Sequence, residues 1–366
     1  MSEVVEFTRQ LVGQNTVNPP GNEALCIDLI AARLERAGFV ISRKEIAPTR
    51  PSIVARFGGH GAAIALTGHV DVVPLGESPW QKSPFGGDID DGKLYGRGTT
   101  DMKGAVASMV IAAERAAREN PEGRPIELAI TASEETDLEG ARSLRDAGLL
   151  GEAGLLIIGE PTSNQPAFGH RGIYWFDVHF AGKTAHGSRP ELGHNAILDA
   201  ATAAHTLTNW SIDGGTHPVM GRSTVNVSRI KGGQNINSVP DLATITLDFR
   251  LLPGVDHHWI ISEIKRLTGA REVDVLQASE GFWSDPDGQT LTNLRDFWGM
   301  HEVVAAPYGT DGSHLVPGYG NVPTVIIGPG EMAQAHQTDE WCSIDLLEQS
   351  VELYRETIQA WRQERI

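Results

Sequence analysis

Hydrophobic and polar positions follow two different periods along the chain, and the change of period divides it. Up to about residue 158, short strand-like runs, such as the nearly all-apolar 62–73 and the run 126–132, are separated by segments in which apolar residues recur at helical spacing, as in 22–39 and 102–118. Uninterrupted apolar runs are typical of strands buried on both faces. This part of the sequence therefore predicts an α/β layer with a mixed, largely parallel sheet flanked by helices.

The period changes near residue 173. Residues 173–180 alternate between the two faces of an extended chain, as in a half-buried strand. The elements expected next are a helix, two strands, a helix and a strand, at 195–207, 224–230, 243–251, 259–267 and 272–278. This β-α-β-β-α-β order is the ferredoxin-like α+β arrangement. We therefore expect an inserted domain over 173–281, interrupting an α/β domain formed by 1–172 and 282–366, in which helix–strand alternation resumes.

Composition narrows the class of protein. A chain of 366 residues suits two domains, and 30 Lys and Arg against 47 Asp and Glu leave a net charge of −17, which disfavours nucleic acid and anionic lipid as partners. Two cysteines, Cys26 and Cys342, exclude a disulfide framework and suit a reducing compartment. No basic-then-apolar leader is visible, and no apolar run approaches the ~20 residues that span a bilayer. A cytoplasmic protein is expected.

Five short segments place His, Asp or Glu where expected strands end. They are 68–74, 96–104, 133–137, 159–162 and 335–340. His69 and Asp71 share a face of an extended chain, so that Asp71 can orient the His69 ring. Glu134 and Glu135 follow an apolar strand, an unfavourable place for two negative charges unless cations compensate them. Each segment taken alone also fits a solvated surface, a turn or a helix cap.

Taken together, the segments indicate a metal site. They bring His69, Asp101, Glu134, Glu135, Glu160 and His336 to the carboxyl ends of successive strands in one sheet, the edge at which open α/β sheets bind ligands. Two imidazoles and three carboxylates suit two divalent ions such as zinc, with one carboxylate bridging them. One spare carboxylate would remain as a base.

This pattern resembles the co-catalytic metallopeptidase and aminoacylase family, which includes acetylornithine deacetylase, succinyl-diaminopimelate desuccinylase, aminoacylase and glutamate carboxypeptidase. The resemblance rests on 68–71 (GHVD), 98–104 (GTTDMKG), 134–135 (EE), 160–162 (EPT) and His336, and it covers essentially the whole chain. It implies two bound divalent ions, zinc in the first place with cobalt or manganese as alternatives.

The resemblance also implies a role for each of these side chains. Asp101 would bridge the two ions, His69 and Glu160 would complete one site, and Glu135 and His336 the other. Glu134 would be the general base that activates water, and Asp71 the residue that orients His69. A cis peptide bond is implied between Asp101 and Met102.

For the inserted domain, the resemblance implies a homodimer and a share in substrate binding. His186 would contact the oxyanion or the substrate in the active site of the neighbouring subunit. Asn237 and Arg250 would bind substrate, the latter through a substrate carboxylate. Gly312 would belong to a glycine-rich substrate loop over 309–314. Read without the family, a turn His and an Arg at a strand end are ordinary surface residues.

The same loop bears on the acyl group. Desuccinylases typically carry an Arg after the Asp-Gly of this loop, where this chain has Ser313 and His314, while 248–254 and 327–340 are similar to the deacetylase branch. We therefore expect a di-zinc amidohydrolase that removes an N-acyl group, most simply acetyl, from a small N-acylated amino acid or dipeptide, as acetylornithine deacetylase does.

Two alternatives stay open. Within the family, the activity could instead be succinyl-diaminopimelate desuccinylation or carboxypeptidase cleavage. Outside enzymes, the chain could be a non-catalytic metal-binding or amino-acid-binding protein that kept the fold, an interpretation that the presence of Glu134 disfavours because metal binding alone does not require it.

Overall fold

The computed structural model describes residues 1–366, and these divide into two compact units. Unit 1 comprises Met1–Gly169, Ser284–Ala306 and Thr310–Ile366, and unit 2 comprises His170–Trp283 and Pro307–Gly309. The insertion expected over 173–281 thus lies inside unit 2, which also takes in a short segment from much later in the chain. None of the helices is both long and apolar enough to cross a membrane.

Nine α-helices are present, most of them in unit 1. They are α1 (Glu3–Val12), α2 (Ala24–Arg36), α3 (Gly104–Glu119), α4 (Glu139–Asp146), α5 (Ala196–Thr208), α6 (His257–Thr268), α7 (Gln289–Trp298), α8 (Gly312–Gly318) and α9 (Ile344–Arg362). Most of α3 is buried, because its many small residues allow close packing. The sequence analysis predicts neither α1 nor α8.

Sixteen strands complete the fold. They are β1 (Val40–Ala47), β2 (Arg50–Phe57), β3 (Ala63–His69), β4 (Ile89–Asp90), β5 (Lys93–Tyr95), β6 (Ile126–Thr131), β7 (Ala153–Ile158), β8 (Ala167–His170), β9 (Gly172–Ala181), β10 (Thr224–Gly232), β11 (Leu242–Leu251), β12 (Glu272–Ser279), β13 (Phe282–Trp283), β14 (Val304–Ala306), β15 (Thr324–Ile326) and β16 (Trp341–Ser343).

The large sheet of unit 1 runs in the order β1-β2-β6-β3-β7-β15-β8. The three central pairs, β6 with β3, β3 with β7 and β7 with β15, are parallel, while the pairs towards the edges are antiparallel. Every residue of β3 and β6 is buried, which explains why both strands are mostly apolar. The predicted mixed α/β layer with a largely parallel centre is confirmed.

Unit 2 contains a four-stranded antiparallel sheet in the order β10-β11-β9-β12, with α5 and α6 supplying the cover of one face. Alternate residues of β9 and β11, such as Phe176 and Phe249, lie in the core with Ile260 of α6. Trp175, on the other face, is 41% exposed. The predicted ferredoxin-like order is confirmed.

A small third sheet leads to Asp101. Its strands run β16-β5-β4, and β5 is followed by an irregular turn, Thr99–Lys103, that enters α3. Asp101 therefore does not follow a strand of the large sheet. This corrects the expectation that all the candidate ligands lie at strand ends of one sheet, because the strand before Asp101, β5, belongs to the small sheet.

Candidate active site

The carboxyl ends of β6, β3 and β7 supply most of the candidate side chains. These strands are adjacent and parallel, so their carboxyl ends lie at the same edge of the sheet. His69 is the last residue of β3, Glu134 and Glu135 follow β6, and Glu160 follows β7. His336 is reached from β15 through a longer connection. The fold thus brings segments that are far apart in the sequence close together in space.

Asp101 lies between the two imidazoles. Its Oδ1 is 3.2 Å from Nε2 of His69 and its Oδ2 is 3.2 Å from Nε2 of His336. Glu160 Oε1 is 3.8 Å from His69 Nε2, and Glu135 Oε2 is 3.2 Å from His336 Nε2. Two groups of three ligands result, both including Asp101, and within each group the ligand atoms lie within 4.8 Å of one another.

The chemistry of this cluster fits divalent cations. The carboxylates of Asp101, Glu134, Glu135 and Glu160 form no ion pair with a Lys or an Arg; their only ion-pair partners are His69 and His336. Glu135 Oε1 is buried and has no hydrogen-bond partner. Buried carboxylates of this density are unfavourable without cations, and imidazole with carboxylate is a donor set that suits zinc and related metals.

Burial and mutual repulsion shift the pKa values of the acidic groups in the cluster. Burial raises the pKa of Glu134 and of Glu160 well above the usual range for Glu, and neighbouring carboxylates add to the effect. Burial, reinforced by Asp101, also raises the pKa of Glu135. Burial acts in the same direction on Asp101, but hydrogen bonds with His336 and His69 outweigh it and lower the Asp101 pKa.

The pKa values of the two histidines are also raised, in their case by the neighbouring carboxylates. Hydrogen bonds with Asp101 and Glu135 raise the pKa of His336 to about 10. Burial alone would lower the pKa of His69, yet its hydrogen bonds with Asp101 and Asp71 raise the pKa well above the usual value. Without a metal, the cluster therefore favours positively charged imidazoles, which marks a site built for positive charge.

Asp71 contacts more than the His69 ring. Nδ1 of His69 hydrogen-bonds to the main-chain oxygen of Asp71 at 3.0 Å, while the Asp71 carboxylate is 3.6 Å away. The carboxylate instead accepts hydrogen bonds from the main-chain N–H groups of Glu134 (3.1 Å) and Glu135 (3.2 Å) and from the side chain of Asn18 (2.9 Å). Both the main-chain oxygen and the carboxylate of Asp71 thus face Nδ1 of His69, and the carboxylate also anchors the two glutamates; the role of Asp71 in orienting His69 stays a prediction.

Two segments of the site contain a residue in the left-handed backbone conformation. Ser133, immediately before Glu134, has φ of 66°, and His336 has φ of 64°. Non-glycine residues rarely adopt this left-handed conformation, and it occurs often at functional sites. The peptide bond between Asp101 and Met102 is cis, as the resemblance implies.

Four further residues around the site were not predicted: Asn18, Arg97, Asp311 and Glu340. Asp311 is buried, accepts a hydrogen bond from the Thr131 hydroxyl, and has its pKa raised to about 7 by burial. Arg97, Asp311 and Glu340 lie inside the segments that the sequence analysis singled out. The sequence therefore drew attention to these segments, but it did not show which residues these side chains contact in the fold.

The candidate residues of unit 2 lie in two separate places. His186 and Asn237 are exposed on adjoining loops, where the N–H of Gly187 donates to the Asn237 carbonyl at 2.7 Å. Arg250, near the end of β11, forms an ion pair with Asp248 at 3.0 Å.

The register of the unit 2 sheet gives the separation. Arg250 pairs with Ile173 near the start of β9, whereas the loop of His186 follows Ala181 at the end of β9. At the rise of a strand, roughly 25 Å separates the two places. Unit 2 of one chain therefore does not bring Arg250 together with His186.

Gly312 lies in unit 1, at the start of α8. It is buried, and its N–H donates to the hydroxyl of Thr310 at 3.0 Å.

The fold and the ligand cluster together define a class: an α/β protein with two adjoining groups of candidate metal ligands near the carboxyl edge of its sheet. The model of the peptidase family M20/M25/M40 matches residues 65–360, and the chain belongs to this family.

Named relatives narrow the chemistry. The chain is 33% identical, over 86% of its length and 87% of the relative's, to a probable succinyl-diaminopimelate desuccinylase of Staphylococcus epidermidis. It is 31% identical to the acetylornithine deacetylase of Proteus mirabilis, over 97% of this chain and 96% of that one. The protein is accordingly a hydrolase of the M20 type that acts on amide bonds.

A solved structure shares the fold. The YXEP protein of Bacillus subtilis, a dinuclear metal-binding peptidase of the M20 family, superposes with a TM-score of 0.73 at 16% identity, covering 98% of each chain. Dinuclear metal binding is a property of that protein; in this chain, two groups of candidate ligands share Asp101.

Proposed function

We propose that the protein is a dinuclear metallohydrolase that removes an N-acyl group, most simply acetyl, from a small N-acylated amino acid, in the manner of acetylornithine deacetylase. The observation that carries the proposal is the pair of ligand groups sharing Asp101, with the carboxylate of Glu134 4.0 Å from His69. The similarity to the Proteus deacetylase along nearly the whole chain supports it.

The metal ligands divide between two positions. His69 and Glu160 would hold one cation and Glu135 and His336 the other, with Asp101 shared by the two positions. Zinc is the first choice for this donor set, with cobalt or manganese as alternatives. Two such cations, when bound, lower the pKa of water and polarise the carbonyl of the scissile amide.

Glu134 is the group that moves protons. It ligates neither cation in this assignment. Its main-chain N–H donates to Asp71, which holds its backbone beside the cluster, and its carboxylate lies 4.0 Å from Nε2 of His69. Because the pKa of Glu134 is raised towards the ambient pH, its carboxylate can both accept and return a proton. Glu134 accepts the proton of the attacking water and passes it to the nitrogen of the leaving amine.

The loop 310–314 bears on the acyl group. It contains no Lys or Arg, and His314 is occupied by a contact of 3.2 Å between its Nδ1 and the guanidinium of Arg145. A succinyl carboxylate would find no cationic side chain supplied by this loop, which favours a small neutral acyl group.

Desuccinylation is the second candidate. The 33% identity to the Staphylococcus relative favours it. In that case a cation from outside 310–314 would have to receive the distal carboxylate.

The separation of Arg250 from His186 in unit 2 supports a homodimer. In this arrangement His186 and Asn237 of one subunit complete the active site of the other, and Arg250 binds the α-carboxylate of the substrate. The oxyanion that forms at the scissile carbonyl needs donors, and an imidazole N–H from His186 provides one.

A substrate panel tests the proposed function. Purified protein loaded with Zn²⁺ or Co²⁺ is assayed on N-acetyl, N-succinyl and N-formyl amino acids and on dipeptides, with acetylornithine among the first group. We expect the highest kcat/KM on an acetyl substrate. A preference for succinyl substrates would replace the proposal by desuccinylation, and no turnover on any member would overturn it.

Subunit mixing tests the dimer. Glu134→Ala and His186→Ala each inactivate one component of the composite site. Random mixing should return roughly a quarter of the wild-type activity, because half of the dimers are mixed and each has one intact site. Activity no higher than the sum of the two separate variants would refute completion of the site by the partner subunit.

A further inference from the structure

A single buried carboxylate organises the turn that presents Asp101. Oε1 of Glu340 accepts three main-chain hydrogen bonds, from the N–H groups of Gly98 (3.0 Å), Thr100 (2.9 Å) and Asp101 itself (3.2 Å). Glu340 is 0% exposed, so water does not compete for these bonds. One oxygen atom of Glu340 thus fixes the backbone conformation of the turn that ends at Asp101.

The second oxygen of Glu340 is held by a buried arginine. Arg97 donates from one terminal nitrogen to Glu340 Oε2 at 2.7 Å, and from the other to the carbonyls of Pro74 (3.3 Å) and His336 (3.5 Å). Pro74 lies in the segment that follows His69. The fork of the guanidinium therefore contacts the main chain of two ligand-bearing segments besides the carboxylate.

Glu340 is itself firmly placed. Its main-chain oxygen accepts the N–H of Gly96 at 2.8 Å, and the carbonyl of the next residue, Trp341, accepts the hydroxyl of Thr100 at 2.7 Å. Trp341 begins β16, which pairs with β5 just before the Asp101 turn. The carboxylate is thus attached to a short sheet and not to a free loop.

We propose that Glu340, held by Arg97, is the positioning residue that sets the orientation of Asp101 between the two cation sites. The proposal rests on the proposed function in so far as Asp101 is the shared ligand. Neither Glu340 nor Arg97 belongs to either ligand group.

The geometry of Asp101 explains why such a device is needed. Its two oxygens each lie 3.2 Å from a different imidazole, so a small rotation of the backbone that brings one closer moves the other away. Metal–ligand distances tolerate only about 0.2 Å. A carboxylate with three N–H partners around it restricts this rotation directly.

The test separates positioning from the general cost of disturbing a buried ion pair. Removing one partner alone leaves an uncompensated buried charge. We therefore compare two double variants, R97M/E340Q and R97M/E340M, neither of which leaves a buried charge at this place. Gln retains an oxygen that can accept the three N–H bonds, whereas Met has a similar size and no such acceptor.

The readout is Co²⁺ binding by calorimetry, together with the absorption spectrum of the loaded protein. We expect R97M/E340M to bind Co²⁺ at least about ten-fold more weakly than R97M/E340Q, with an altered spectrum, as found for partners that orient metal ligands. Equal affinities and spectra in the two folded double variants would overturn the proposal.

A milder variant guards against loss of folding. R97K keeps a cation for Glu340 but lacks the second donor arm towards Pro74 and His336. We expect Co²⁺ binding weakened several-fold with the folded state retained; unchanged affinity would remove Arg97 from the proposal.

Glu127 provides the matched control. It is likewise buried, accepts the N–H of Gly151 at 2.9 Å and the hydroxyl of Tyr319 at 2.7 Å, and pairs with Arg56 at 3.2 Å. It lies near the start of β6, at the end of the strand remote from the cluster. Glu127→Gln should lower the melting temperature and leave Co²⁺ affinity and spectrum unchanged.

The outcome is distinct from that of the substrate panel. If the wild type binds two Co²⁺ and hydrolyses no member of the panel, the proposed function fails while the comparison of the double variants still decides the role of Glu340. If the wild type hydrolyses the panel and the double variants bind Co²⁺ alike, only the role of Glu340 fails.

Discussion

Charged side chains are dense in two regions of unit 1, and the two regions balance their charge differently. Along the helices, a network links acidic and basic groups in turn, with 2.7 Å between Arg33 and Glu114, 3.0 Å between Arg115 and both Glu3 and Glu352, and 3.1 Å between Arg355 and Glu119. At the carboxyl edge of the sheet, by contrast, the carboxylates around Asp101 meet only imidazoles.

The difference shows what each region is built for. In the helical network every carboxylate has a guanidinium beside it, and most of these groups are partly exposed, so the network needs nothing from outside and contributes modestly to stability. The carboxylates of the edge cluster are largely buried, although His336 is exposed, and they have no Lys or Arg beside them. The charge balance of the cluster is completed only when cations bind, which is why a region that is unfavourable by itself can be a site.

The largest effect is expected from Glu134, the carboxylate of the edge cluster that belongs to neither ligand group. Glu134→Gln should lower kcat by about 10²–10⁴-fold, the usual contribution of a general base, while two Co²⁺ remain bound. Initial rates and calorimetry measure the two quantities. Glu352→Gln, in the helical network, serves as the control with wild-type kcat. Near-normal turnover of Glu134→Gln would remove its assignment as the base.

Metal removal should affect stability next. Stripping the protein with a chelator should lower the melting temperature by several degrees, because a metal present at 1,000 times its Kd contributes about 4 kcal/mol through linkage. Adding Co²⁺ or Zn²⁺ should restore it. The Glu135→Gln variant should gain less from added metal than the wild type. A melting temperature indifferent to chelation would contradict the cation deficit.

At His314 the imbalance is reversed: the imidazole lies against the guanidinium of Arg145, so positive charge and not negative charge is in excess. Burial, with Arg145 and Arg142 adding to it, lowers the pKa of His314 from 6.5 to about 4. A depressed folded-state pKa means that this contribution to stability is complete above pH 6.5 and is lost as the pH falls towards 4.

The His314→Gln variant tests that pH dependence. Its free energy of unfolding, measured in urea between pH 7 and pH 4, should fall less steeply than that of the wild type, since all other titrations are common to both proteins. Parallel curves would show that His314 protonates equally in the folded and unfolded chains.

The smallest effect is expected in the helical network. Arg115→Met removes a guanidinium that bridges Glu3 and Glu352, and should cost less than about 1 kcal/mol of unfolding free energy, a loss that shrinks further in high salt. Turnover and Co²⁺ affinity should not change. A loss several times larger, insensitive to salt, would mean that the two regions differ less than their geometry indicates.

The sequence predicted the elements whose apolar pattern is strong and missed those that tertiary packing defines. The buried runs of β3 and β6 and the alternation of β9 were evident from the sequence. The ten-residue helix α1 has no side-chain cap at its first turn, and short helices depend on packing. Strand β1 is exposed or half-buried throughout and shows no alternation.

For the site too, the sequence predicted the residues that lie in segments with a strong local pattern and missed those whose role depends on tertiary contacts. Each candidate ligand lay in a short segment with its own signal, and the structure brings His69, Asp101, Glu135, Glu160 and His336 into two groups. The supporting contacts carried no such signal. Glu340 lies 243 residues from Arg97, and Asn18 lies 53 residues from Asp71, so no local pattern joins them.

The sequence by itself determined which chemical groups are available and which stretches become buried strands, since periodicity and residue type act over a few neighbouring positions. Only the tertiary structure decided that Glu340 holds the turn before Asp101, that the Asp71 carboxylate anchors the glutamates, and that Arg250 and His186 lie at opposite ends of one sheet. The physical reason is that hydrogen bonds and metal ligation depend on ångström-scale distances between segments far apart in the chain, and the folded backbone alone sets those distances.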